Sequence, residues 1–156
     1  MTKTLDLTGP VARLVSYFQT ISPQSVADLG QYYAASAYFK DPFNEVKDCQ
    51  AIMVIFDHMF QALHDPRFVV TNRVVQGDQC FLTWEFQFHF KTFRPDQAQV
   101  ILGASHLVFS DQGLVTFHRD DWDAAEELYE KIPVLGSLMR WIKKREKLSR
   151  QSFSKA

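Results

Sequence analysis

The chain has 156 residues, enough for one domain with a core that needs no metal or disulfide to support it. A net charge of −1 gives no general attraction to nucleic acid, and none to membrane. Aromatic residues make up 14%, mainly through 14 phenylalanines, a surplus that suits either a thick core or an apolar cavity.

The N-terminal MTKTLDLTGP has no apolar leader pattern, and no segment reaches the roughly 18 apolar residues of a membrane span. From Thr8, a possible N-cap, and Pro10 near the first helical position, Val11, Leu14, Val15 and Phe18 recur at helical spacing. A helix follows, with Tyr17 at the edge of its apolar face. Ser22 and Pro23 repeat the cap pattern and predict a second helix through SPQSVADLGQYY. SAYFKDPF then reads as a short strand ending in a turn, because Pro42 disfavours helical backbone at Asp41.

Ile52, Ile55, Phe56, Met59 and Leu63 form one stripe of a third helix, which Pro66 is expected to close. The isolated Cys49 and Cys80 form no CxxC pair and suggest reduced thiols in a cytoplasmic protein. After Pro66 the period becomes two. RFVVTNRVV and CFLTWEFQFHF flank QGDQ, a hairpin signal, and Leu82, Trp84, Phe86, Phe88 and Phe90 share one apolar face. QVILGASHLVF and LVTFHRDDW are two further strands, joined by SDQG. DAAEELYEKI and VLGSLMRWIKKREKL are helices broken at Pro133.

The order predicts an α+β fold, an antiparallel sheet with helices on one face. Strongly curved, such a sheet makes a cone whose mouth is a natural pocket. One domain spans 1–156, with a core at 8–130 and a C-terminal helical extension at 131–156.

Several motifs carry little. His118–Asp120 spells HRD, but no Gly-rich loop or DFG accompanies it and the chain is too short for a kinase. His58 and His64 lie six apart, on different helix faces, and no metal-ligand spacing occurs, so no metal is expected unless distant residues assemble a site. Asp123, Glu126 and Glu127 suit the first turn of a helix. Arg140, Lys143 and Lys144 lie opposite Leu135, Leu138, Met139 and Ile142 in the tail. That pattern suits packing over the sheet or a dimer, with contact to an anionic membrane surface as the rival.

The layout of residues 8–130 resembles the nuclear transport factor 2-like superfamily, which includes ketosteroid isomerase, SnoaL-like polyketide cyclases and limonene epoxide hydrolase. The resemblance implies a cystatin-like roll, a cone-shaped sheet with the N-terminal helices on its concave face. LVSYFQTI places Tyr17 where the isomerase has an oxyanion-donating tyrosine, and FKDPF places Asp41 where it has its general base. The second oxyanion donor, a neutral carboxylic acid in an apolar site, corresponds to Ser105 in GASHLVF. A serine lacks that acidity, so steroid isomerisation does not transfer. The family's phase in the last strand points His118, Asp120 and Trp122 inward and Arg119 and Asp121 outward. A register shift of one residue would exchange the two sets.

The resemblance implies a homodimer with an apolar pocket for a small hydrophobic molecule and no cofactor. Asp41, Tyr17, His118 and Asp120 are its candidate catalytic residues, with Ser105, Trp84, Phe86, Phe88 and Trp122 lining the pocket. Cofactor-independent isomerase, cyclase or hydrolase chemistry is one reading; a non-catalytic ligand-binding or interaction module is the other. The residues also permit a structural account, since an Asp before Pro often caps its own turn and a Tyr often buries its ring. The enzyme reading requires Asp41, Tyr17 and His118 or Asp120 to converge on one cavity.

Overall fold

The computed structural model describes residues 5–129. The chain divides at Trp122 into two compact units. The first, through Trp122, holds a six-stranded sheet in the order β2-β1-β6-β5-β4-β3. The strands are β1 (Tyr33–Lys40), β2 (Glu45–Val46), β3 (Leu63–Gln76), β4 (Gln79–Phe90), β5 (Gln99–Phe109) and β6 (Val115–Asp121). The sheet is curved and does not close on itself. Its neighbours are antiparallel except β1 and β6, which run parallel with Phe39 beside His118.

Helix α1 (Thr8–Gln19) buries Val11, Leu14, Val15, Tyr17 and Phe18, the stripe its sequence spacing predicts. Its start differs from the expected Thr8 cap: Leu7 is the N-cap, and Asp6 Oδ1 accepts from the Thr8 amide at 3.0 Å. The second helix is a 3-10 helix, Ser25–Gln31. Its buried residues, Val26 and Leu29, are three apart, a spacing that one turn of 3-10 geometry places on one face.

Strand β1 begins at Tyr33, three residues earlier than the sequence suggested, and ends at Lys40. Residues 41–44 turn the chain into the short β2, which pairs back on Phe39 and Lys40. Helix α2 (Cys49–Ala62) is capped by Asp48, whose carboxylate accepts from the amides of Gln50 and Ala51.

Pro66 does not close α2. The helix ends at Ala62, and Leu63 and His64 are already paired with Phe90 and His89 of β4. The register shifts between His64 and Arg67, with Asp65 at a φ of 47°. Proline, which cannot donate to a ladder, sits at this irregularity. The β3–β4 hairpin turns at Gly77, whose φ of 61° suits a two-residue turn.

Both helices lie on the sheet's concave face. Phe18 of α1 and Phe56 of α2 have ring centroids 5.6 Å apart, and Phe18 also meets Phe68 of β3 and His118 of β6. The sheet's inward positions, including Phe39, Leu82, Trp84, Ile101, Leu107 and Val115, complete this core.

The second unit begins at Asp123. Within the described residues it contains α3 (Ala124–Glu127), with Asp123 capping the amide of Glu126 as the acidic run suggests. The expected tail helices and their basic face lie outside the described residues. Among the described residues no helix is long and apolar enough to cross a membrane.

Candidate functional site

Strand β6 alternates, and the alternation decides which acids face the concave side. His118 is 3% exposed, whereas Arg119 and Asp121 lie on the opposite face, paired with each other at 3.0 Å. Asp120 follows His118 inward, its side chain 16% exposed. Both line a cavity of about 30 Å³ with Ser105, Trp84, Phe18 and Phe68. A water needs roughly 10–15 Å³ of such space, so there is room for about two.

The polar side chains there form one connected chain. Trp84 Nε1 donates to Ser105 Oγ at 2.8 Å. An indole N–H can only donate, so the serine hydroxyl is free to pass its own proton on. It donates to Asp120 Oδ1 at 2.5 Å. His118 Nε2 meets the same oxygen at 2.7 Å, and His118 Nδ1 meets the hydroxyl of Tyr33 at 2.6 Å. Asp120 Oδ2 makes no hydrogen bond among the described residues. The result is a carboxylate held through one oxygen in a residue that lines an aromatic-walled cavity.

The sheet's pairing builds this arrangement. Ser105 lies directly across from Asp120, Leu107 across from His118, and Trp84 across from Gly103. Gly103 leaves room for the indole: a Cβ there would stand 2.2 Å from Trp84 Cη2.

The required convergence on one cavity is not met, which removes the enzyme reading centred on Asp41 and Tyr17 and leaves, of the candidate catalytic residues, only His118 and Asp120 at the cavity. The carboxylate of Asp41 accepts from the amides of Phe43 and Asn44 at 2.7 and 2.6 Å and from the Asn44 side chain at 3.1 and 3.0 Å. Asp41 closes the β1–β2 turn and does not line the cavity. Tyr17 donates to the carbonyl of Ser25 at 2.8 Å and stacks on Tyr32, centroids 4.3 Å apart. Burial, followed by the charge of Asp28, raises its phenol well above the ordinary tyrosine range. It lines a separate surface groove with Arg13 and Asp28.

Of the expected pocket walls, Trp84 and Ser105 line the cavity. Phe86 stacks instead on Phe68 at 4.5 Å, and Trp122 packs edge-on against Phe43. Phe88 borders a second cavity of about 540 Å³, which Phe18 also lines. Sequence reading missed Tyr33. Its signal was the inward phase it shares with Ala37 and Phe39, all three buried. Among the described residues, no group of three or more His, Cys, Asp or Glu side chains could hold a metal ion.

A curved, unclosed sheet with helices in its concavity is the cone of the nuclear transport factor 2-like superfamily. Residues 14–118 match the SnoaL-like domain, and the chain belongs to that family. Among solved structures, it is similar to a ketosteroid isomerase-like protein from Catenulispora acidiphila DSM 44928, in complex with trimethylamine. That match has 15% identity and a TM-score of 0.66, covering 78% of this chain and 90% of the other. A candidate SnoaL-like polyketide cyclase from Jannaschia sp. CCS1 matches at 16% identity and a TM-score of 0.65, over 77% and 87%. An LEH-like epoxide hydrolase from M. tuberculosis matches at 10% identity and 0.62, over 80% and 87%. At such identities the likeness is one of fold. No curated protein matches the chain.

Proposed function

We propose that this chain is a cofactor-independent acid–base catalyst for a compact, largely apolar molecule admitted when the aromatic walls of the cavity part, with Asp120 as its general base. The observation that carries this reading is the division of labour within one carboxylate. Asp120 lines the cavity, its Oδ1 takes both hydrogen bonds from Ser105 and His118, and Oδ2 takes none among the described residues. A base must be positioned first and tuned second, and two donors on one oxygen fix where the other points. The aromatic walls favour an apolar substrate, and solved structures of this fold described as a polyketide cyclase and an epoxide hydrolase make cyclisation or hydrolysis the reading we favour.

A second reading rests on the small volume. Phe18, Phe56, Phe68 and Trp84 fill the cone so far that about 30 Å³ remains, as in a packed core or a carrier that opens for its ligand.

A chromogenic carbon acid separates the two. With nitrobenzisoxazole, a base takes the ring C–H proton, the N–O bond breaks, and the electron pair leaves on oxygen as a coloured phenolate. The base reading expects a rate above buffer that falls about 10²–10⁴-fold in Asp120→Asn and is retained in Asp41→Ala. Equal rates in wild type and Asp120→Asn would refute it.

A further inference from the structure

We propose that Tyr33 is a positioning residue whose buried hydroxyl holds His118 in the neutral tautomer protonated at Nε2. His118 then serves as a fixed donor to Asp120. The number of protons at this contact decides the tautomer. Tyr33 is 1% exposed, and among the described residues its hydroxyl has one hydrogen-bond partner, His118 Nδ1 at 2.6 Å. A phenol has one proton to give. Were Nδ1 protonated, that proton would occupy the contact and the phenol O–H would lose the one hydrogen-bond partner it has among the described residues. Orphaning a buried donor is the costly outcome in hydrogen bonding. With Nδ1 bare, every proton in the chain finds an acceptor: tyrosine to Nδ1, Nε2 to Asp120, serine to Asp120, indole to serine.

Among the described residues the histidine makes no other hydrogen bond. From α1 Phe18 meets the ring at 5.9 Å between centroids, and from β1 Phe39 meets it edge-on at 4.9 Å. Across the ladder β5 presents Leu107. The titratable groups facing the ring are Tyr33 on β1 and Asp120 on β6. Burial and, after it, the charge of Asp120 raise the Tyr33 phenol well above its ordinary range, so its proton stays on oxygen at neutral pH.

Both ring nitrogens are therefore committed. His118 lines the cavity but has no nitrogen free for a substrate, and Tyr33 does not line it at all. Tyr33 acts on the site through His118, and the free Oδ2 of Asp120 is left as the base. This consequence rests on the proposed role of Asp120; the tautomer does not.

The test is side-chain ¹⁵N NMR of the full-length protein at neutral pH, with His118 assigned by the signals lost in His118→Gln. The expected wild-type pattern places Nδ1 at the bare-nitrogen end of the imidazole range and Nε2 at the N–H end. Tyr33→Phe, checked for native circular dichroism, is expected to move Nδ1 toward the N–H position. A wild-type His118 protonated on Nδ1, or on both nitrogens, overturns the proposal. So does a folded Tyr33→Phe protein with unchanged shifts. If that variant does not fold, the wild-type spectrum still decides the tautomer. The expected pattern with full elimination activity in Asp120→Asn would uphold the tautomer and remove the base. An Asp120-dependent rate with Nδ1 protonated would do the reverse.

Discussion

Replacing Gly103 by alanine adds one methyl group at the point where β5 passes beneath an indole. The added Cβ would lie 2.2, 2.5 and 2.7 Å from Cη2, Cζ2 and Cζ3 of Trp84, all inside any real carbon–carbon contact. The ring has little room to retreat: Phe68 packs against it at 6.0 Å and 88°, and the residue is 7% exposed. Moving it also stretches Trp84 Nε1–Ser105 Oγ, now 2.8 Å. Overpacking costs about 1–3 kcal/mol, and a lost neutral hydrogen bond adds about 0.5–1.5 kcal/mol. The sum is about 1.5–4.5 kcal/mol. Urea unfolding should show a lower midpoint at unchanged slope, the sign of lost stability without a change in exposed surface. Trp84 emission, isolated by replacing Trp122 and Trp141 with Phe, should change as well. A loss below about 0.5 kcal/mol with unaltered Trp84 emission would refute the packing argument and the support it gives Ser105.

Alkaline pH should destabilise the fold through Tyr33. Its folded-state pKa lies above its ordinary value of 10.0, so its contribution is complete below that pH. As pH rises further the unfolded chain ionises first and stability falls. Tyrosinate absorbance should rise in two phases, the later one coinciding with loss of circular dichroism; a single phase without unfolding would contradict it. A second prediction concerns the open face of the sheet, where Val74, Phe81 and Leu102 are 62%, 46% and 60% exposed. Phe81 stacks there on His106, and Phe117 on Tyr38. If the expected homodimer forms through this face, sedimentation should give twice the 18.1 kDa chain mass, and Leu102→Lys should return the monomer. A monomeric wild type would exclude it.

The strands of the second half were readable because a period of two is local. Leu82, Trp84 and Phe88 are buried where their alternation places them; for β6 alternation separates His118 and Asp120 from Arg119 and Asp121, and the family resemblance supplied which pair faces inward. Elements whose ends depend on pairing were harder. Pro66 looked like a helix stop, yet β4 captures Leu63 and His64 before the chain reaches it. The β1–β2 hairpin was invisible because β2 is two residues long, too short to carry a pattern.

The site divides along the same line. Composition, helical stripes and alternation determined an α+β fold with aromatic strand faces, because those signals lie within a few residues of one another; the cone followed from the family resemblance. Whether a carboxylate caps a turn or faces a cavity depends on what stands opposite it. Asp41 finds its donors two and three residues away at Phe43 and Asn44, while Asp120 finds its own on β5 and, through His118, on β1. Tyr33 and His118 are 85 residues apart in sequence and 2.6 Å apart in space. Only the parallel pairing of β1 with β6 brings these strands together, and a residue pattern read along the chain carries no record of that neighbour.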